Sequence, residues 1–405
     1  MTAPPGAFAA EPGSDRLPFV SGRAVAVGLK VALAGIGVGA LYGGAWLSVA
    51  PNRLLPGQAL PATAALGAWA HAIAAALALF LALSSRGRGA GPARSAGFTL
   101  LAALLTGLLI ATGLAAGGLL DGHPASARCM VGAGFWVATG AVGLLLLDEA
   151  RLLPPARVAS IALLGLAALA VARRAGAFDA LSILVEYRAR ADLFEAAFWR
   201  HLALSGAALM LALLVSIPLG WTAFRHPRLR TGIDAALNGV QVVPAVALFG
   251  LLVSLLSLAL AAWPSLRALG LAAIGPTPAL VGVAAYLTLP LTRGIATGLA
   301  AADPAVIETA RGMGMTDRRI AYEVRLPLGL PVFVGGLRVA AVQSIGLTTL
   351  GGLIGAGGFG ALVFEGMAQF ASDLIILGSA PIVAVAVLAD LSLRALELRL
   401  ARPLS

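Results

Sequence analysis

Nucleotide hydrolysis needs a lysine behind a glycine-rich turn, because its ammonium must reach the phosphates. This sequence holds one lysine, Lys30, set between Leu29 and Val31, which excludes ATP hydrolysis by the chain alone. Hydrolysis within an apolar protein needs a nucleophile paired with a base. Of the four histidines, His71, His123, His201 and His226, only His71 sits centrally in an apolar run, and no Gly-x-Ser-x-Gly elbow accompanies it. A hydrogen-bonded packing residue is its simpler role. The single Cys129 excludes an intrachain disulfide and a cysteine metal cluster.

Polar chemistry concentrates instead between Asp303 and Pro327. Asp303 precedes Pro304, so its carboxylate can cap a helix whose first position needs no amide hydrogen. Val306, Ile307, Ala310 and Met313 then recur at helical spacing, a small apolar face suited to a groove on another protein. Gly314 supplies a turn, Thr316 can cap a second helix, and Pro327 closes it.

The elements that carry this loop must be membrane helices. Hydrophobic residues make up 60% of the 405 and charged residues 11%, against roughly a quarter charged in soluble domains. A spanning helix needs about 20 apolar residues, and ten candidate spans follow: 24–49, 62–84, 97–120, 129–147, 157–172, 202–223, 234–262, 278–300, 329–354 and 374–393. The fifth is the shortest. The first exceeds the roughly 7–15 residues of a signal-peptide core and reads as an uncleaved helix. Arginines fall mostly on the side of the 302–327 loop, at Arg16, Arg86, Arg88, Arg94, Arg151, Arg225, Arg228, Arg230, Arg394, Arg399 and Arg402. The positive-inside rule therefore makes that side cytoplasmic, and the net charge of +10 reflects topology rather than nucleic-acid binding.

Glu308-Thr309-Ala310, three residues, Gly314, nine residues and Val324-Arg325-Leu326-Pro327 resemble the coupling-loop signature of ATP-binding-cassette importer permeases. Thr309 replaces the usual first alanine. The match extends through His201-Leu202, the run from Asn238 to Leu248, Pro290-Leu291-Thr292-Arg293-Gly294, Gly336-Leu337-Arg338 and the glycine-rich run from Gly352 to Gly360. These phrases are similar to permease subunits of osmoprotectant importers of the glycine betaine, choline and proline betaine type. The resemblance implies an all-α, polytopic fold with a type I permease core over residues 201–405. The apolar residues within the polar stretch 173–200 suggest an amphipathic linker at the outer surface, and the candidate spans before it make an N-terminal extension of about five helices over 1–172. No family is assigned to that extension, and a structural or assembly role is expected for it.

The resemblance also implies partners: a cassette ATPase dimer that binds ATP and Mg, a second permease copy or a homologue, a periplasmic or lipid-anchored solute-binding protein, and the lipids of the inner membrane. Asp303, Val306, Ile307, Glu308, Ala310, Gly312, Gly314, Leu326 and Pro327 would form the coupling loop. Asn238, Gln241, Pro244, Pro290, Arg293 and Arg338 are candidates for the path or its gate. Polar amides at membrane depth either face a wet cavity or join helices, and Arg293 and Arg338 read as charges snorkelling from helix ends. Scattered aromatics make no cage for a quaternary ammonium, so selectivity falls to the binding protein. The alternatives are a permease for methionine or another small amino acid, an intramembrane hydrolase, and a membrane scaffold without transport.

Overall fold

The structure is a computed structural model that describes residues 22–53, 55–85 and 92–401. Arg16, Arg86, Arg88 and Arg402 lie outside these. The chain divides into two compact units, Met1–Leu181 and Ser182–Ser405.

The first unit contains α1 (Gly22–Gly43), β1 (Ala45–Ala50), β2 (Gln58–Pro61), α2 (Ala62–Leu66), α3 (Ala68–Ser85), α4 (Pro92–Leu120), β3 (Arg128–Val131), α5 (Ala133–Ala150) and α6 (Pro155–Arg174). Two expected helical boundaries are corrected here. Residues 45–49 and 129–131 belong to a three-stranded antiparallel sheet of order β2-β1-β3. A short apolar run has no periodicity that separates a buried strand from a helix. The chain leaves α1 through Gly44, where a Cβ would stand 2.7 Å from the Gly134 Cα. Trp46 anchors the sheet: it is fully buried, stacks edge-on against Phe135 and donates from Nε1 to the Thr112 hydroxyl at 3.1 Å. Lys30 on α1 pairs with Glu149 and Asp148 at the end of α5. His71 is exposed, hydrogen-bonded to the Tyr42 hydroxyl at 2.8 Å.

The second unit contains α7 (Ser182–Ala189), α8 (Ala191–Arg225), α9 (Pro227–Val242), α10 (Ala245–Ala262), α11 (Pro276–Ala300), α12 (Pro304–Gly312), α13 (Asp317–Ile320), α14 (Leu326–Thr348), α15 (Phe359–Ala368) and α16 (Ser372–Leu400). Residues 191–200, read as linker, form the first turns of α8. The expected single span over 234–262 is two helices. Pro244 lacks an amide hydrogen and holds Val243 extended, at φ −68° and ψ 126°. Ala208, Ala212, Phe249, Val283, Leu287, Leu291 and Ala340 form the core where α8, α10 and α14 meet α11. Between α14 and α15 the glycine run turns through left-handed positions at Gly355, Gly357 and Gly358. Close packing there leaves no space for a side chain at Gly360, whose Cβ would fall on the Thr349 carbonyl.

Among the described residues nine helices are long and apolar enough to cross a membrane, and Ala68–Ser84 is a shorter apolar helix. The short fifth candidate extends to 20 residues as α6.

Helices α11 and α14 touch backbone to backbone. A Cβ on Gly329 would collide with the Gly298 carbonyl, and one on Gly336 would lie 3.1 Å from the Gly294 Cα. Small residues allow such approach where lipid removes the hydrophobic drive between helices. Gly329→Leu should therefore lower the thermal midpoint of the purified protein, at a cost of about 1–3 kcal/mol for overpacking. Gly250→Ala, at a site with open space around it, should leave the midpoint unchanged.

Candidate coupling site

The loop between α11 and α14 begins with a cap. Asp303 Oδ1 accepts from the Ala305 amide at 2.8 Å, with Pro304 in the first turn of α12. Thr316 accepts from the Arg319 amide at 3.3 Å and starts α13. Gly314 joins the two at φ +80°, a conformation that costs any L side chain about 1–2 kcal/mol. Nothing lies within 4 Å of a Cβ built on Gly312 or Gly314.

The expected apolar face divides in two. Ile307 and Ala310 turn inward and pack with Ala302 and Ile320, with Met315 and Val324 beside them. They brace the loop and present nothing to a partner. Val306 and Met313 face out, Met313 at 72% exposure, and Tyr322 joins them at 60%. A face with period 3.6 spans both sides of so short a helix, so spacing alone could not say which residues point home. Glu308 is exposed and makes no hydrogen bond or ion pair among the described residues. Arg311 pairs with Asp317 at 3.3 Å and Arg319 with Glu323 at 2.9 Å. These exposed pairs add little stability but hold the loop surface in a defined charge pattern.

Pro327 does not close the second helix. Residues 321–325 form a π-helical turn in which the Leu326 amide reaches back to the Ala321 carbonyl, and α14 continues from it. Widening the helix by one residue places Pro327 in the first turn of α14, where its missing amide is tolerated. Leu326 and Pro327 are both exposed. Arg325 holds this junction to the preceding helices: it donates to the Leu299 carbonyl at 3.0 Å and lies 5.1 Å from the centre of the Phe224 ring.

The six path candidates fall into separate arrangements. Gln241 donates to the Tyr286 carbonyl at 2.9 Å, and the Tyr286 hydroxyl donates to the Val243 carbonyl. Together they staple the α9–α10 break to α11, while Asn238 is exposed on α9. Pro244 caps α10, and the Pro290 carbonyl sits 3.2 Å from where a Cβ on Gly336 would be. Arg293 pairs with Asp234 at 3.2 Å. Arg338 lies about 18 Å along α14 from Leu326 at 1.5 Å per residue. There it pairs with Asp390 at 3.2 Å and Glu397 at 3.0 Å, both on α16.

Residues that sequence reasoning passed over also gather near the loop, among them Trp221 and Phe224 at the end of α8. Aromatics beside a terminal arginine are the ordinary signal of a membrane boundary, and that signal was available at Trp221 to Arg225.

Residues 212–402 match the family model described as binding-protein-dependent transport system inner membrane component. The carnitine transport permease protein OpuCB of Listeria monocytogenes is 31% identical over 202 residues, half of this chain and 85% of that one. The osmoprotectant import permease protein OsmW of Salmonella typhimurium is 35% identical over 49% of this chain and 87% of its own. The chain belongs to this ABC permease family. The permease therefore resides in the inner membrane as a multi-pass transport component. Its N-terminal region, residues 26–184, matches the N-terminal domain of the ABC transporter permease YehY. Among solved structures, the methionine ABC transporter MetNI in an inward-facing conformation is 19% identical, covering 52% of the permease and 97% of that chain, with a TM-score of 0.46.

A charge cluster of this kind stabilises mainly by leaving no member alone. The three side chains are 31–44% exposed, so Arg338→Leu should cost about 1 kcal/mol by leaving Asp390 and Glu397 without their cation. Replacing all three with leucine should restore most of the loss, as thermal unfolding in detergent would show.

Proposed function

We propose that the permease is the membrane-spanning subunit of an ATP-driven importer for glycine betaine, choline, carnitine or related quaternary-ammonium osmoprotectants. The observation that carries this reading is the identity of about a third with carnitine, osmoprotectant and choline permeases along nearly their whole lengths. The loop geometry supports the coupling half of it. An exposed, unpaired Glu308 stands beside outward Val306 and Met313, on a loop braced from within by Ile307 and Ala310. Such a surface suits a groove on a separate ATPase.

In this reading a dimer of ATPase subunits binds ATP and Mg and presses on two such loops, one from each of two permease subunits. A periplasmic or lipid-anchored binding protein selects and delivers the solute on the opposite side. Pushing or releasing the loop moves α11 and α14 together, because their backbones are in contact at four glycines. Asn238, Gln241, Pro244, Pro290, Arg293 and Arg338 then act on helix positions, through the α9–α10 break and the ion pairs.

Two outcomes test this. Glu308→Arg and Gly314→Leu should each abolish co-purification of the ATPase while membrane insertion and yield stay normal; full retention in both would remove the coupling assignment. Proteoliposomes holding the whole complex and its binding protein should take up labelled glycine betaine, choline or carnitine on ATP addition. Uptake of methionine alone would overturn the substrate class.

A further inference from the structure

Two clefts lie side by side on the Ser182–Ser405 unit and share a wall. One, of about 560 Å³, is apolar and reaches Ile217, Pro218, Ile295, Leu330 and Phe333. The other, of about 550 Å³, carries Arg225, Arg311, Arg318 and Arg325. Trp221, Ala321, Tyr322 and Arg325 belong to both. We propose that this pair of clefts binds one anionic phospholipid, its phosphate among the guanidiniums and an acyl chain in the apolar cleft.

Charge comes first. Among the described residues Asp317 is the only carboxylate lining the polar cleft, and it pairs with Arg311 at 3.3 Å. Arg318 has no ion pair among the described residues. Arg225 lies 5.9 Å from the Trp221 ring, and Arg325 is engaged by the Phe224 ring and the Leu299 carbonyl. Three guanidiniums thus converge without a carboxylate. Arginine is the side chain suited to forked hydrogen bonding of phosphate, and clustered cations are relieved by an anion placed among them.

Position then separates a lipid from an acidic protein segment. The apolar cleft is lined by residues 217–221 of α8, 295–299 of α11 and 326–333 of α14, all within helices apolar enough to span the membrane. An acidic peptide could fill the polar cleft, but the apolar cleft beside it suits a hydrocarbon chain. Trp221 and Tyr322 stand on the shared wall, with aromatic bodies and polar tips matched to a headgroup boundary. Loop and lipid would then meet at Arg325 and Tyr322, so a bound lipid would stiffen the junction where the coupling loop becomes α14.

Native mass spectrometry of the purified permease, delipidated and then given phosphatidylglycerol or phosphatidylcholine, tests this directly. Phosphatidylglycerol should be retained in preference, and glycerol phosphate in millimolar excess should not displace it. The Arg225→Gln, Arg318→Gln double variant should bind roughly thirtyfold more weakly, the equivalent of about 1 kcal/mol of surface attraction per charge removed. The double lysine variant should recover most of that loss, which a misfolded protein could not do. Displacement by glycerol phosphate would make the cleft a plain phosphate site and overturn the lipid. Equal retention of both lipids, or no change on removing the arginines, would also overturn it. So would a double variant that keeps the lipid but loses the ATPase, since the cations would then serve a protein partner.

Discussion

The contact on which the rest of the permease core depends is the meeting of α11 and α14 at Gly294, Gly298, Gly329 and Gly336. The coupling loop leaves one of these helices and enters the other. Because the two helices are held backbone to backbone, the loop's ends cannot separate without breaking that contact. In the proposed reading, force applied to the loop would move the helix pair rather than bend the loop. Asp303, Thr316, Ile307 and Ala310 serve the same end at shorter range, by capping and packing the loop so that it acts as one piece.

Ion pairs between helices add a second constraint. An ion left without a partner in an apolar setting is costly, so such ions are paired or face water. In the core, Arg338 ties α14 to α16 through Asp390 and Glu397, and Arg293 ties α11 to α9 through Asp234. In the N-terminal unit Lys30 does the same between α1 and α5. Each of these pairs fixes the relative slide of two helices that apolar contact alone would leave loosely specified.

How much was legible in the sequence follows from what kind of signal each feature leaves. The loop was legible because caps, turns and spacing are local: Asp303-Pro304, Gly314 and Thr316 announce themselves without knowledge of the fold. Most spans were legible from apolar length. The strands at 45–50 and 128–131 were not, since an apolar stretch reads alike in either form. Nor was the inward turn of Ile307 and Ala310, because facing is decided by where Ile320 and Val324 come to rest. Gln241 posed the same difficulty: its amide bonds a carbonyl 45 residues away, a partner that only the folded chain reveals. The break at Pro244 could have been read from the proline itself, had its effect on Val243 been weighed above the apolar run.

The most direct test of the account places a single reporter on the loop. Met313→Cys in a Cys129→Ala background carries one thiol, at an exposed position. A membrane-impermeant maleimide should label it in inside-out vesicles and not in right-side-out ones, and assembly with the ATPase should shield it. Labelling from the outer face, or labelling indifferent to the ATPase, would contradict the account.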